Sequence, residues 1–350
     1  MNIALITGCS GLIGSESVKF FINKGYKVIG IDNHMRSYFF GPESSTEQNT
    51  EKLIKDYDNN FDFYNVDIRN FEELQKIFQK YSKDIKIIIH TAAQPSHDWA
   101  SKEPITDFSV NAVGTLNLLE LTRQNSKDAS FIFTSTNKVY GDNPNNLNFI
   151  ENKYRWELPK SNKYFKGIDE NFLIDKCTHS LFGASKLYAD ILVQEYGRNF
   201  GLKTVAFRAG CITGPNHSGA KLHGFLSYLV KSCVRERKYD LIGYKGKQVR
   251  DNIHSYDLIN CFWEFFKKPR SGEVYNIGGG RKSNCSILEA INIVENKIGK
   301  DVKKVFHKNP RVGDHKWYIS NINKFNDHYP NFKQKYNTSI IIDELLESFI

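Results

Sequence analysis

The sequence has no paired cysteines. Its six, Cys9, Cys177, Cys211, Cys233, Cys261 and Cys285, show neither a CxxC pair nor a Cys/His ligand spacing. That excludes the common zinc motifs and leaves reduced thiols as the expectation for an intracellular chain. Long apolar runs are missing as well: nothing approaches the roughly 18 residues of a membrane helix. The run Ile3–Ile6 is too short even for the core of a signal peptide. A soluble cytoplasmic protein with no metal and no membrane partner is expected. Nor is charge concentrated. The 48 Lys and Arg against 39 Asp and Glu leave +9, but they are scattered, the densest group being Lys267, Lys268 and Arg270. Nucleic-acid proteins gather such charge in a stripe, so no nucleic-acid partner is expected. The excess is read as a mild attraction for anionic small molecules or as a solvated Lys-rich surface. No internal repeat is evident. What the 350 residues do have is 40% apolar and 13% aromatic content, enough for one large or two closely joined domains with a full core.

Residues 3–7 form a short apolar run broken by Gly8, a helical pattern follows through Val18, Phe20, Phe21 and Ile22 to Gly25, and Val28–Ile31 ends at Asp32. This is strand, glycine-rich turn, helix, strand. The alternation continues with strands near 61–67, 86–91, 130–136 and 203–208 and helices at 71–82, 111–124 and 182–200. Such alternation predicts a doubly wound, Rossmann-type parallel sheet of the α/β class. Past residue 209 the pattern loosens, with helices near 224–236, 255–267 and 286–298, a strand at 273–277 and a last helix from about 339. The expected organisation is a dinucleotide-binding domain over 1–208, with return segments within 250–277, and a smaller α/β substrate-side domain over 209–350. Two long polar segments, 33–60 with a surface helix around 46–57 and 141–181 anchored by Tyr154, Trp156, Tyr164, Phe165 and Phe172, leave strand ends where ligands of open sheets bind.

Gly8, Gly11 and Gly14, with Cys9, Ser10, Leu12 and Ile13 between them, give the spacing GxxGxxG directly between a strand and a helix. The first glycine permits the turn, the second a close approach of backbone to pyrophosphate, and the third the packing of helix on strand. Asp32 ends the next strand 18 residues after Gly14, close to the spacing of about 20 at which a carboxylate meets the ribose hydroxyls. That carboxylate, followed by Asn33, favours NAD over NADP, although Arg36 stands near enough to keep NADP open.

The GxxGxxG turn resembles that of the extended short-chain dehydrogenase/reductase family, the NAD-dependent epimerases and dehydratases, and further likenesses run along the chain. Asp67-Ile68 resembles the adenine-contacting pair, His90-Thr91-Ala92-Ala93 the motif after the fourth strand, and Asn111-Ala112-Val113-Gly114-Thr115 the helix motif. Ser135–Asp142, Lys166–Glu170 and Gly246–Asp251 resemble the CDP-paratose (CDP-tyvelose) 2-epimerase branch. The resemblance implies that Gly8, Gly11, Leu12, Ile13, Gly14, Asp32, Asn33, Asp67, Ile68, Ala92, Ala93, Asn111, Thr134 and Lys186 hold NAD. It implies a nucleotide-sugar substrate, CDP-linked by preference, met by Asn137, Lys138, Asn216, Arg250 and Arg311. It also implies a homodimer or homotetramer paired through helices 111–124 and 182–200, and a place in surface-polysaccharide biosynthesis.

The family chemistry asks for a base that takes the proton of a sugar hydroxyl while NAD takes the hydride, a Ser/Thr that positions the oxygen, and a lysine. Thr136 and Lys186 match the last two, but the tyrosine expected one helical turn before the lysine is Phe182. Three readings stay open. Another group serves, with Tyr140 and His179 as candidates and Tyr188 on another helix face; or Thr136 acts with a water and Lys186; or the chain binds without turnover. Asn137 and Lys138 stand where dehydratases of the family carry Asp and Glu, which sets elimination below epimerisation. Cys211 stands where many relatives have Asn, and His217 and His223 are left unassigned. The expected function is an NAD-dependent sugar-nucleotide epimerase. The rivals are a dehydrogenase or ketoreductase and a non-catalytic nucleotide-sugar or NAD sensor.

Overall fold

A computed structural model describes residues 2–215, 217, 224–311 and 313–349. In chain order the elements of the first half are β1 (Ile3–Thr7), α1 (Leu12–Asn23), β2 (Lys27–Asp32), α2 (Arg36–Phe40), α3 (Glu47–Tyr57), β3 (Phe61–Asn65), α4 (Phe71–Tyr81), β4 (Ile85–His90), α5 (His97–Lys102), α6 (Pro104–Phe108), α7 (Gly114–Asn125) and β5 (Ser130–Thr136). The hairpin β6 (Ile150–Glu151) and β7 (Trp156–Glu157), α8 (Ser180–Phe200), β8 (Lys203–Ala209), β9 (Cys211–Thr213), α9 (Phe225–Val234) and β10 (Tyr239–Ile242) follow. The chain ends with β11 (Val249–His254), α10 (Ser255–Lys267), β12 (Glu273–Ile277), β13 (Asn284–Ser286), α11 (Ile287–Ile298), β14 (Lys304–His307), α12 (Asn323–His328) and α13 (Thr338–Phe349). No helix among the described residues is long and apolar enough to cross a membrane.

The main sheet has seven strands in the order β12-β8-β5-β4-β1-β2-β3, and β1 pairs in parallel with both β2 and β4. All five residues of β1 are buried, as expected of a central strand covered by helices on both faces. The order reverses between β1 and β4. Open parallel sheets bind their ligands at such a switch point, outside the carboxyl ends of the strands.

The chain divides into two compact units, the first comprising residues 1–139, 181–208 and 259–275 and the second 140–180, 209–258 and 276–350. In the first, α1 is pinned to α10 by aromatic edges, with Trp263 against Phe20 at 6.0 Å and Phe21 at 5.9 Å. The helix expected over 111–124 is α7, and the chain enters it through a turn of π-helix at Ser109–Val113. In the second unit β11 lies between β9 and β13, and a core of Leu229, Val230, Ile291, Val294, Ile341 and Leu345 joins α9, α11 and α13.

Asp251 organises the second unit. Its carboxylate accepts the backbone N–H of Gly280 at 2.9 Å and of Ser320 at 2.8 Å, and a Cβ on Gly278 would lie 1.9 Å from one of its oxygens. Burial pushes its pKa up to about 6 against the pull of those donors. Asp251→Asn turns an NH2 toward one backbone N–H, and a lost buried acceptor costs about 1–3 kcal/mol. Urea denaturation is expected to show that loss. Because the folded pKa lies above the unfolded 3.8, this carboxyl's contribution is full at lower pH and fades as the pH rises through about 6. The variant should lack that slope.

Candidate active site

The turn after β1 is built for close backbone approach. Gly8 has φ +69°, and a Cβ there would sit 2.7 Å from the backbone nitrogen of Ala92, so the loops after β1 and β4 meet at a residue without a side chain. A Cβ on Gly14 would lie 2.0 Å from the carbonyl oxygen of Gly8, while one on Gly11 would meet only that oxygen, at 3.4 Å. Gly14 is therefore a packing glycine, and Gly11 leaves open space before α1. That helix has no side-chain cap and no acidic residue in its first turn, which leaves its N-terminal N–H groups and positive end to an anion.

At the end of β2, the Asp32 carboxylate accepts the N–H of Ser10 at 3.1 Å and of His34 at 2.9 Å. It is thereby fixed beside the glycine turn. Asn33 donates to Asp67 at 2.9 Å, and Arg69 grips the same carboxylate with its Nη2 at 2.6 Å, holding the Asp67 pKa below the usual carboxylate value. Ile68 fills the space a Gly114 side chain would need, 2.5 Å from that virtual Cβ. The Arg36 guanidinium lies over the Phe40 ring, 4.9 Å from its centroid.

Around the end of β5 the structure assembles a buried polar centre. Lys186 donates from Nζ to the Thr134 carbonyl at 2.8 Å and lies 4.1 Å from the Phe133 ring centroid. Burial lowers its pKa to about 7, with Asp190 and Asp107 opposing the shift. The Thr134 hydroxyl donates to the His90 carbonyl at 2.8 Å. Thr136 is half-buried, and its hydroxyl oxygen accepts the Lys138 N–H at 3.2 Å, closing the turn that carries Asn137. Asn111 donates to Ser185 Oγ at 3.1 Å and to the Gln94 carbonyl at 3.0 Å, and its own oxygen accepts the Gln94 N–H at 2.9 Å. Asp107 accepts from Gln94 at 2.6 Å and from Asn111 at 3.1 Å. Of this network the sequence reading had Asn111, Thr134 and Lys186. Gln94, Asp107 and Ser185 went unnoticed because no spacing in the chain marks them.

Phe182 is buried on the same face of α8 as Lys186, and its ring meets the His97 ring edge to face, centroids 4.9 Å apart. His97 is half-buried at the start of α5. Tyr188 lies instead against Phe108, at 5.5 Å.

The remaining sequence candidates belong to the second unit. Tyr140 is fully buried, and its hydroxyl donates to Asn276 Oδ1 at 2.8 Å. His179 is half-buried with its ring 3.7 Å from Cys177 Sγ. Arg250 is tied to Asp314 at 2.6 Å and to the His315 carbonyl at 2.6 Å, and Arg311 is half-buried in the loop before Gly313. The His217 carbonyl accepts from Ser227 at 2.7 Å, and Asn216 and His223 lie outside the described residues. Among the described residues no three His, Cys, Asp or Glu side chains are grouped to hold a metal ion.

A family model described as the NAD dependent epimerase/dehydratase family matches residues 4–278. The chain belongs to this family. It is 32% identical over 328 residues to CDP-paratose 2-epimerase of Salmonella typhi, covering 91% of each protein. It is 28% identical over 305 residues to dTDP-glucose 4,6-dehydratase of Haemophilus influenzae, covering 83% of this chain and 78% of that protein. Among solved structures, a tyrosine-to-phenylalanine variant of UDP-glucuronic acid 4-epimerase from Bacillus cereus, in complex with UDP-4-deoxy-4-fluoro-glucuronic acid and NAD, superposes with a TM-score of 0.80 at 25% identity, covering 99% of this chain and 98% of that one. Membership brings NAD as cofactor. The open side of Gly11, the uncapped start of α1 and the fixed Asp32 carboxylate suit its pyrophosphate and ribose diol.

Proposed function

We propose that this protein is an NAD-dependent sugar-nucleotide epimerase of the CDP-paratose 2-epimerase kind. The observation that carries the reading is the end of β5, where Thr136 is followed by Asn137 and Lys138 and the buried Lys186 donates to the Thr134 carbonyl. A hydroxyl and a lysine suit reversible hydride exchange at a carbinol, whereas the family resemblance implies that its dehydratases carry Asp and Glu directly after that threonine, as acid and base for the elimination of water. The relative at 32% identity over most of both chains supports the same choice.

When bound, NAD supplies the hydride acceptor and donor. On this reading the first unit holds it, with Gly8, Gly11, Leu12, Ile13 and Gly14 at the pyrophosphate and Asp32 and Asn33 at the adenosine ribose. Asp67, Ile68, Ala92 and Ala93 border the adenine side, and Asn111 and Thr134 order the nicotinamide end. Lys186 binds the nicotinamide ribose, and Thr136 orients the sugar hydroxyl. The second unit serves the sugar nucleotide, with Arg250 and Arg311 as anchors for its diphosphate, to which planar guanidinium groups bind in a bidentate manner. Leu181, Tyr188 and Ile191 on α8, each more than 40% exposed, support pairing of subunits through this helix.

Incubation with CDP-, UDP- and GDP-hexoses, followed by NMR of the sugars and absorbance of NADH, tests the reading. A stereoisomer formed with no net NADH is expected. Accumulating NADH signals a dehydrogenase, a dehydrated sugar signals a dehydratase, and ligand binding with no product signals a sensor; each overturns the epimerase.

A further inference from the structure

Ser10 stands between the first two glycines of the cofactor turn and is fully buried. A buried serine has three polar groups, and each needs a partner once water is excluded. At Ser10 all three find one in the segment that runs from the end of β2 into α3. The N–H donates to the Asp32 carboxylate at 3.1 Å. The carbonyl oxygen accepts from Asn49 Nδ2 at 3.0 Å, and the hydroxyl lies 2.5 Å from the buried hydroxyl of Thr50. The Cys9 thiol stands farther off, at 3.8 Å. Asn49 and Thr50 belong to the start of α3, 39 and 40 positions from Ser10, in a helix that the sequence marks only as a surface element.

The chain therefore leaves Ser10 at Asp32 and returns to it at Asn49 and Thr50, so residues 33–48 form a loop whose two ends meet on one serine. The middle of the loop is seated on α5. Phe39 and Tyr38 rest on Trp99, ring centroids 4.6 Å and 5.5 Å apart, and the Tyr38 hydroxyl donates to Glu103 at 2.7 Å. That seat holds the loop; the bonds at Ser10 bear on the turn itself, and being directional they fix its orientation. The residue after Ser10 is Gly11, which offers its open side to an anion, and the partner of the Ser10 N–H is Asp32, the carboxylate that suits a ribose diol. One clasped residue thus sets the spacing of the two groups offered to a dinucleotide. A site held in its binding geometry in advance loses less ordering entropy when the ligand arrives.

We propose that Asn49 and Thr50 are positioning residues for the cofactor, holding the glycine turn and the Asp32 carboxylate, through Ser10, in the geometry that takes a dinucleotide. The proposal rests on the placement of NAD given above. Loss of the Thr50 hydroxyl takes from the buried Ser10 hydroxyl the partner that directs it, and the turn is then free to shift against Asp32. NAD binds more weakly to such a turn and leaves it sooner. Loss of the Asn49 amide acts in the same direction from the carbonyl side of the same residue.

The test compares the full-length wild type with Thr50→Val, Thr50→Ser, Ser10→Ala and the Ser10→Ala/Thr50→Val double variant, with Gly11→Ala as the marker of where NAD sits. Calorimetry measures NAD affinity, exchange against isotopically labelled NAD measures its release from the loaded protein, and urea denaturation measures stability. Thr50→Val is expected to weaken NAD binding by about five- to tenfold and to speed release by a similar factor. Thr50→Ser keeps the hydroxyl and should stay within about twofold of the wild type. In the double variant no buried hydroxyl is left unpaired, so stability should return toward that of the wild type while NAD affinity stays low, because the turn is no longer held. A purely structural pair does not give that split. Should Thr50→Val fail to fold, Asn49→Ala, at a half-buried position, replaces it and should weaken NAD at least about threefold. The proposal is overturned by a Thr50→Val protein, or its Asn49→Ala replacement, that binds NAD within about twofold of the wild type while Gly11→Ala does not. It is overturned equally by a Thr50→Ser protein as weak as Thr50→Val, or by NAD affinity that recovers together with stability in the double variant. A Gly11→Ala protein with wild-type NAD affinity overturns the placement of NAD and this proposal with it.

Discussion

Lys186→Met is expected to abolish hydride exchange and yet to leave the folded protein at least as stable at pH 6. The ammonium is buried against the Phe133 ring, with the Thr134 carbonyl as its hydrogen-bond acceptor, and burial lowers its pKa from 10.5 to about 7. Below about 7 both folded and unfolded chains carry the proton, so the folded state bears the full cost of the buried cation, roughly 3–5 kcal/mol at 1.4 kcal/mol per pKa unit. Between about 7 and 10.5 the unfolded chain holds a proton that the folded one has released, and wild-type stability rises with pH. Methionine has a similar volume and no charge to bury. The difference in denaturation midpoint, variant minus wild type, should therefore be largest at pH 6 and shrink toward pH 10. A variant less stable at every pH would show that the cation holds the fold together. The rate of hydride exchange should drop by at least about 10²-fold, the lower end of what a positioned charged group contributes.

Gly14→Ala should unfold the cofactor turn, whereas Gly11→Ala should spare it and strike only the ligand. The alanine methyl at 14 would lie 2.0 Å from the Gly8 carbonyl oxygen and 2.7 Å from the Cys9 Cα. Both are backbone atoms of the turn, so α1 itself must lift off β1. Overpacking of this kind costs about 1–3 kcal/mol even where side chains absorb it, and here none is available to do so. At Gly11 the backbone is extended, with φ −76° and ψ 176°, and the nearest atom to a methyl lies at 3.4 Å. Alanine is accommodated there with a stability change of less than about 1 kcal/mol. On the proposed placement of NAD the methyl occupies the open side offered to the pyrophosphate, and NAD affinity should fall by about tenfold or more. Denaturation and calorimetry on the two variants separate the packing glycine from the ligand glycine; equal stability losses at both positions would defeat the assignment.

The parallel order of strands and helices followed from the sequence alone. Periods of two and of 3.6 residues and the glycines that interrupt them are local properties, imposed by backbone geometry on stretches of about a dozen residues. Strands β5 and β12 and helix α10 lie where patterning predicted them, over 130–136, 273–277 and 255–267. Local chemistry also marked Asp32 at the end of a strand, and the family resemblance marked Phe182 in place of a phenol. What the tertiary structure decided are contacts between residues far apart in the chain. Tyr140 carried a motif and looked available, but Asn276, 136 positions away, takes its hydroxyl into the core. Arg250 is engaged by Asp314 and His315, 64 and 65 positions on. His97 meets Phe182 across 85 positions, and no period links them, because α5 and α8 come together only when β4 and β5 pair side by side in the sheet. A side chain's neighbours across such distances are set by how the elements stack, and that is decided by burial over the whole unit and not by the residues on either side of it.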